Sequence, residues 1–158
     1  MKTKALYVGS FDPIHLGHLR IIERACRVFD EVIVGVAESA GNKLVKDIGT
    51  RFSLAEEAIA HVENAAVVKF FGATVDFAKD SKSDVVIRGV RDLCDYESEK
   101  KLASLNKILA PYMETMFFFC DLAYPVSSTI VKELVALEKL SDKFVPKSIL
   151  EKVKALYK

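Results

Sequence analysis

The chain has 158 residues, 51% of them hydrophobic and 28% charged, which favours a single domain over residues 1–158 with a sizeable core and excludes a disordered chain. With 23 basic and 22 acidic side chains the net charge is +1, so neither nucleic acid nor a membrane surface is expected as a partner, and any phosphate binding has to come from a local site. Three widely spaced cysteines, Cys26, Cys94 and Cys120, make no disulfide framework, and neither a bilayer-spanning apolar run nor a signal-peptide core stands out, so a soluble cytoplasmic enzyme is expected.

In chain order, Ala5–Val8 reads as a buried strand ending at Gly9. Leu19, Ile22, Ala25, Cys26 and Phe29 recur at helical spacing and predict a helix from about Gly17 to Val28. The β-branched run Val32–Val36 is a second strand, followed by a polar, glycine-containing loop from Glu38 to Thr50. Arg51 to His61 reads as a helix with Phe52, Ala55, Ile59 and Val62 on one side, then Ala66–Phe71 as a strand and Val75–Ser81 as a short helix. Val85–Ile87 is a fourth strand that stops at Arg88-Gly89, and Tyr96 to Leu109 a helix with Leu102, Leu105 and Leu109 turned inward. Met116–Phe119 is a fifth strand, Ser127-Ser128-Thr129 opens a helix carrying Val131, Leu134 and Val135, and a last amphipathic helix runs from about Pro146 to Leu156.

Strands and helices alternate, and the strand cores are continuously apolar. Together these predict an α/β domain: one doubly wound, five-stranded parallel sheet covered on both faces, with a C-terminal helix. No repeat or linker interrupts it. Ligands of such sheets sit at the carboxyl ends of the strands, near the switch in strand order. Attention therefore falls on Gly9–His18, Arg88–Arg91 and Ala123–Thr129.

In the first of these segments, a strand-ending glycine and a helix-starting glycine bracket a loop whose N–H groups suit a phosphate. His15 and His18 lie three apart on one face of the helix start. Without a third histidine or a nearby cysteine they do not read as a zinc site. Two readings stay open: a capping and a surface histidine, or donors to nonbridging phosphate oxygens. Asp12, ahead of Pro13, reads as a turn residue, with a metal's outer shell as the alternative. Arg88 and Arg91 at a strand end are a solvated face or a phosphate clamp, and their place at the sheet's carboxyl edge favours the clamp. Ser127–Thr129 cap a helix, and the same N–H groups suit a triphosphate.

The decapeptide Gly9-Ser10-Phe11-Asp12-Pro13-Ile14-His15-Leu16-Gly17-His18 resembles the HxGH signature of the nucleotidyltransferase superfamily. Ile87-Arg88-Gly89-Val90-Arg91, then Asp95-Tyr96-Glu97-Ser98-Glu99, and finally Val126-Ser127-Ser128-Thr129-Ile130-Val131-Lys132-Glu133 are similar to motifs of bacterial phosphopantetheine adenylyltransferases. The resemblance covers essentially the whole chain. It implies a Rossmann-like nucleotidyltransferase fold, a homohexamer, Mg²⁺ on the triphosphate, and transfer of the adenylyl group of ATP to 4′-phosphopantetheine in coenzyme A biosynthesis. It implies catalytic roles for His18, Lys43 and Arg91, and acceptor binding by Ser10, Lys43, Thr74 and Arg88. The ATP site it implies comprises Ser10, Phe11, His15, His18, Gly89, Val90, Arg91, Glu99, Tyr124, Val126, Ser127, Ser128 and Thr129.

The chain departs from the pattern in places. Ser10 replaces a threonine and keeps the hydroxyl. His15-Leu16 replaces a Thr-Asn pair and is closer to nicotinate mononucleotide adenylyltransferases. That alternative is opposed by Arg88–Arg91 and by the absence of tryptophan. The loop 38–50 departs most; Lys43 is the nearest match to the family's substrate lysine, with Lys46 as the alternative, and this divergence is what a non-catalytic nucleotide sensor would show.

Overall fold

The structure is a computed structural model that describes residues 2–38, 44–83, 85–120 and 126–158. Five strands, β1 (Lys4–Gly9), β2 (Glu31–Ala37), β3 (Ala65–Phe70), β4 (Val85–Val90) and β5 (Glu114–Phe119), form one sheet in the order β3-β2-β1-β4-β5. Every pairing is parallel. The chain winds outward from β1 through β2 to β3, then crosses back to β4 beside β1 and outward again to β5. The switch in order therefore falls between β1 and β4, and loops leaving their carboxyl ends diverge there and open a crevice.

The helices α1 (Leu16–Ala25), α2 (Ile48–Ile59), α3 (Thr74–Asp80), α4 (Leu93–Leu109), α5 (Ser128–Ala136) and α6 (Leu150–Leu156) cover the sheet from both sides. The two-residue period of β1 sends Ala5 and Tyr7 to one face, with Ile21 and Ile22 of α1, Leu54 of α2, Val131 of α5 and Val153 of α6. It sends Leu6 and Val8 to the other, with Val75 of α3 and the post-α4 residues Ala110 and Met113. Burial on both faces is why the strand cores read as unbroken apolar runs. Gly35 of β2 has a packing reason: a Cβ there would stand 2.9 Å from the Phe77 ring, which stacks on Phe70 at 4.5 Å.

Three readings from sequence are corrected. Helix α2 begins at Ile48, three residues before Arg51, because Asp47 caps it by accepting from the Thr50 N–H; Phe52 is only half-buried, whereas Arg51 is fully enclosed at 0% exposure. Strand β4 runs on to Val90, so Arg88 and Gly89 lie within the strand, paired to Phe117 and Phe118 of β5. Leu102, Leu105 and Leu109 do not face the core: they are 43%, 50% and 60% exposed, and Asn106 is the buried residue of α4. Their apolar spacing does make a stripe. Leu93, Ile108, Tyr112 and the edge-strand residues Met116 and Phe119 are exposed as well. A periodic stripe dictates that a helix face be covered, not that its own sheet cover it.

Candidate active site

The loop after β1 is held from both ends. His15 is the N-cap of α1, in extended conformation. Its Nδ1 accepts from the His18 N–H at 3.4 Å, while His18 Nδ1 accepts from the His15 N–H at 3.3 Å. This is the reciprocal logic of a capping box with imidazoles in place of Ser and Glu. It stacks the two rings at 3.6 Å, 22° from parallel. With both Nδ1 atoms accepting, each neutral ring carries its proton on Nε2. Both rings are kept neutral: burial, with Arg91 nearby, pushes His15 down to about 3. His18 lies well below its ordinary range through burial, then through His15 and Arg91. Beneath them Phe11, 1% exposed, meets the His18 ring edge-on at 4.9 Å.

Two buried polar side chains brace this loop. Asp12, 3% exposed, accepts from Tyr157 Oη at 2.7 Å and from the Val45 N–H at 2.8 Å, with Lys132 Nζ at 3.6 Å. Its carboxylate thus joins the loop to the chain's C-terminal end, to α5 and to the segment before α2; the turn reading holds, with the carboxylate as a tie. Arg51 donates to the carbonyls of Ser10 at 2.5 Å, Ala37 at 2.9 Å and Lys46 at 2.9 Å. Lys46 stands over the Tyr157 ring, 5.6 Å from its centroid.

The second and third segments close the crevice. Arg88 Nε lies 3.3 Å from Glu99. Arg91 makes a two-point contact with Asp95, at 2.6 and 2.9 Å, which holds the Asp95 carboxyl below its ordinary range. Asp92 caps α4 and so places Asp95 and Glu99, four residues apart, on one helix face. Ser127 caps α5 through the Ile130 N–H, and Ser128 Oγ donates to the Pro13 carbonyl at 2.9 Å, tying that helix start to the first loop.

These elements enclose a cavity of about 390 Å³ over the carboxyl ends of β1, β4 and β5. It is lined by Ser10, His15, His18, Arg88, Gly89, Arg91, Glu99 and Val126–Thr129, so most of the expected site converges. Phe11 and Val90 are expected members that lie beneath it, each 1% exposed. Thr74 opens α3 at the end of β3 and does not line the cavity. Lys43 and Tyr124 fall outside the described residues. Tyr7, Arg20, Arg24, Asp95 and Cys120 also line it and were not singled out from sequence. Arg20 and Arg24 lie four apart on α1 and so share a face, but they stand two and six residues after His18, a spacing that does not place them with it; Tyr7, inside an apolar strand, carried no signal. Among the described residues no group of three His, Cys, Asp or Glu side chains is gathered as a metal site.

Comparison with known proteins agrees with this architecture. The cytidylyltransferase-like family profile matches residues 6–134. The chain is 37% identical over 156 residues to a phosphopantetheine adenylyltransferase of Shouchella clausii, covering 98% of each chain. It is 40% identical over 154 residues to one of Finegoldia magna, covering 97% of this chain and 95% of the relative. Among solved structures, a Vibrio parahaemolyticus protein provisionally described as a nicotinate-nucleotide adenylyltransferase superposes with a TM-score of 0.71 at 16% identity, over 97% of this chain and 99% of that one. That likeness is one of fold.

Proposed function

Because the chain belongs to the phosphopantetheine adenylyltransferase family, we propose that its cavity is where the adenylyl group of ATP passes to 4′-phosphopantetheine, yielding dephospho-coenzyme A and pyrophosphate in coenzyme A biosynthesis. The observation that carries this reading is the convergence of two neutral histidine donors, two arginines and a helix start on one cavity at the switch point. The acceptor's terminal phosphate, already anionic at neutral pH, attacks the α-phosphorus in line. The bond to the β-phosphate breaks, and pyrophosphate leaves with the electron pair. No protein nucleophile is required. Catalysis is positioning plus neutralisation of charge as it develops.

In this reading the His18 Nε2–H donates to a nonbridging oxygen of the α-phosphate, with His15 behind it. Ser10 and Arg88 hold the acceptor phosphate together with Lys43; the stacking of Lys46 on Tyr157 favours Lys43 for that part. Thr74 flanks the pantetheine arm. Arg91 and the start of α5, Ser127–Thr129, receive the leaving pyrophosphate. Glu99 accepts from the nucleotide while holding Arg88, Gly89 lets the nucleotide approach the backbone, and Phe11 and Val90 contribute through the backbone. Tyr124 and Val126 complete the ATP pocket. Mg²⁺ is proposed to arrive on the triphosphate, where it offsets phosphate charge. Both Asp12 oxygens are committed to protein donors, which leaves the cation to the phosphates and water.

The exposed apolar side chains of α4 and the edge strand, among them Leu102, Leu105, Ile108, Leu109, Met116 and Phe119, support self-association, and we propose a homohexamer in the cytoplasm. Pyrophosphate release from ATP tests the reaction: phosphopantetheine should support it and nicotinate mononucleotide should not. The reverse preference would overturn the assignment. Sedimentation equilibrium should report six copies of the 17.6 kDa chain.

A further inference from the structure

Tyr7 is a polar side chain without a polar partner in the middle of the site. It is 5% exposed and sits on β1, in register with Ile87 of β4. Its ring is fixed edge-on against Phe11 at 5.6 Å and lies 6.3 Å from the His18 ring. Its hydroxyl reaches the cavity and stands 3.5 Å from the position a Cβ on Gly89 would occupy. Among the described residues the hydroxyl makes no hydrogen bond, and its oxygen is not sealed in the core but open to the cavity. Burial raises its pKa well above the ordinary phenol value, so it is protonated at neutral pH.

The place of this hydroxyl narrows its ligand. On the proposed reading the acceptor phosphate lies with Ser10 at the end of β1 and Arg88 of β4, and the triphosphate lies toward Arg91 and the start of α5, all of which line the cavity. The phosphorus that changes partners must sit between them, over the adjacent ends of β1 and β4. The Tyr7 hydroxyl occupies that ground, beside Gly89 and facing the same space as His18. We infer that Tyr7 is a second catalytic donor, hydrogen-bonding a nonbridging oxygen of the transferred α-phosphoryl group alongside His18. An uncharged phenol adds a directed donor there without drawing the anionic acceptor and the nucleotide into a tighter ground state, so its contribution falls on turnover.

The inference rests on the adenylyl-transfer reading, and Tyr7→Phe tests it, because that change removes only an oxygen that has no protein partner. The expected result is a fall in kcat of about 10- to 100-fold, the worth of one hydrogen bond to a charged group, with both KM values within a fewfold of wild type. The urea midpoint of the free protein should not fall. A second readout uses the two diastereomers of ATP with sulfur at a nonbridging α-oxygen: wild type should discriminate between them, and Tyr7→Phe should bring their rates together. A kcat within twofold of wild type, a loss confined to the KM for phosphopantetheine, or an unchanged diastereomer ratio would each overturn the inference. An inactive wild-type chain would instead overturn the reaction itself.

Discussion

Arg51→Met probes how the phosphate loop is held. Arg51 is 0% exposed, and it spends its donors on three backbone carbonyls, those of Ser10 at 2.5 Å, Ala37 at 2.9 Å and Lys46 at 2.9 Å, with Glu38 at 3.5 Å. Methionine keeps the apolar stem and deletes every donor. Hydrogen bonds from a charged group contribute about 1.5–3 kcal/mol each, so three amount to roughly 4.5–9 kcal/mol gross. Against this, methionine sheds the desolvation cost of a buried cation, which is several kcal/mol, and Arg51 Nη2 lacks a hydrogen-bond partner. The carbonyls decide the sign, because they stay behind, partly buried and unpaired. The net loss should be about 3–5 kcal/mol, as when one member of a buried ionic network is removed, out of a typical total of about 5–15 kcal/mol. Arg51→Lys keeps the charge but not the fork and should lose roughly half as much. Urea unfolding followed by circular dichroism measures both. A loss below about 1 kcal/mol in Arg51→Met would refute the reasoning, since it would mean that water serves the three carbonyls as well as the guanidinium does.

Three further outcomes follow from the site. His18→Ala should lower turnover by at least about 100-fold while calorimetry still detects nucleotide binding; near-normal turnover would remove His18 from its role. Arg88→Ala should mainly raise the KM for phosphopantetheine, and an unchanged KM would return Arg88 to a purely structural pairing with Glu99. Stability should fall on acidification below the ordinary histidine value of 6.5: His15 titrates near 3 in the folded chain, so between those values the unfolded chain holds the extra proton. Each pH unit then costs about 1.4 kcal/mol per histidine, with His18 acting in the same direction. His15→Asn, which keeps a capping side chain, should flatten the slope between pH 6.5 and 5, and an equal slope in both proteins would count against the neutral pair.

Sequence and structure divide the work along a physical line. Local and periodic information was legible in the chain itself. The apolar runs announced five strands buried on both faces, and amphipathic spacing, with the serines that open α5, marked the helices. The motif-bearing loops after β1, β4 and β5 pointed to the sheet edge on which His18, Arg88, Arg91 and Ser127–Thr129 do meet. Contacts between residues distant in sequence were not legible, because nothing in a residue's neighbours encodes them. That Arg51 is enclosed by carbonyls of three segments, that Asp12 is tied to Tyr157 145 positions away, and that Ser128 is tied to the Pro13 carbonyl are outcomes of packing. The same holds for Leu102, Leu105 and Leu109: period established the stripe, but only the placement of α4 against the sheet decided that it faces outward. Tyr7 shows the limit most sharply. In the sequence it is one more large side chain in a buried strand, and only the fold sets its hydroxyl beside Gly89, open to the cavity.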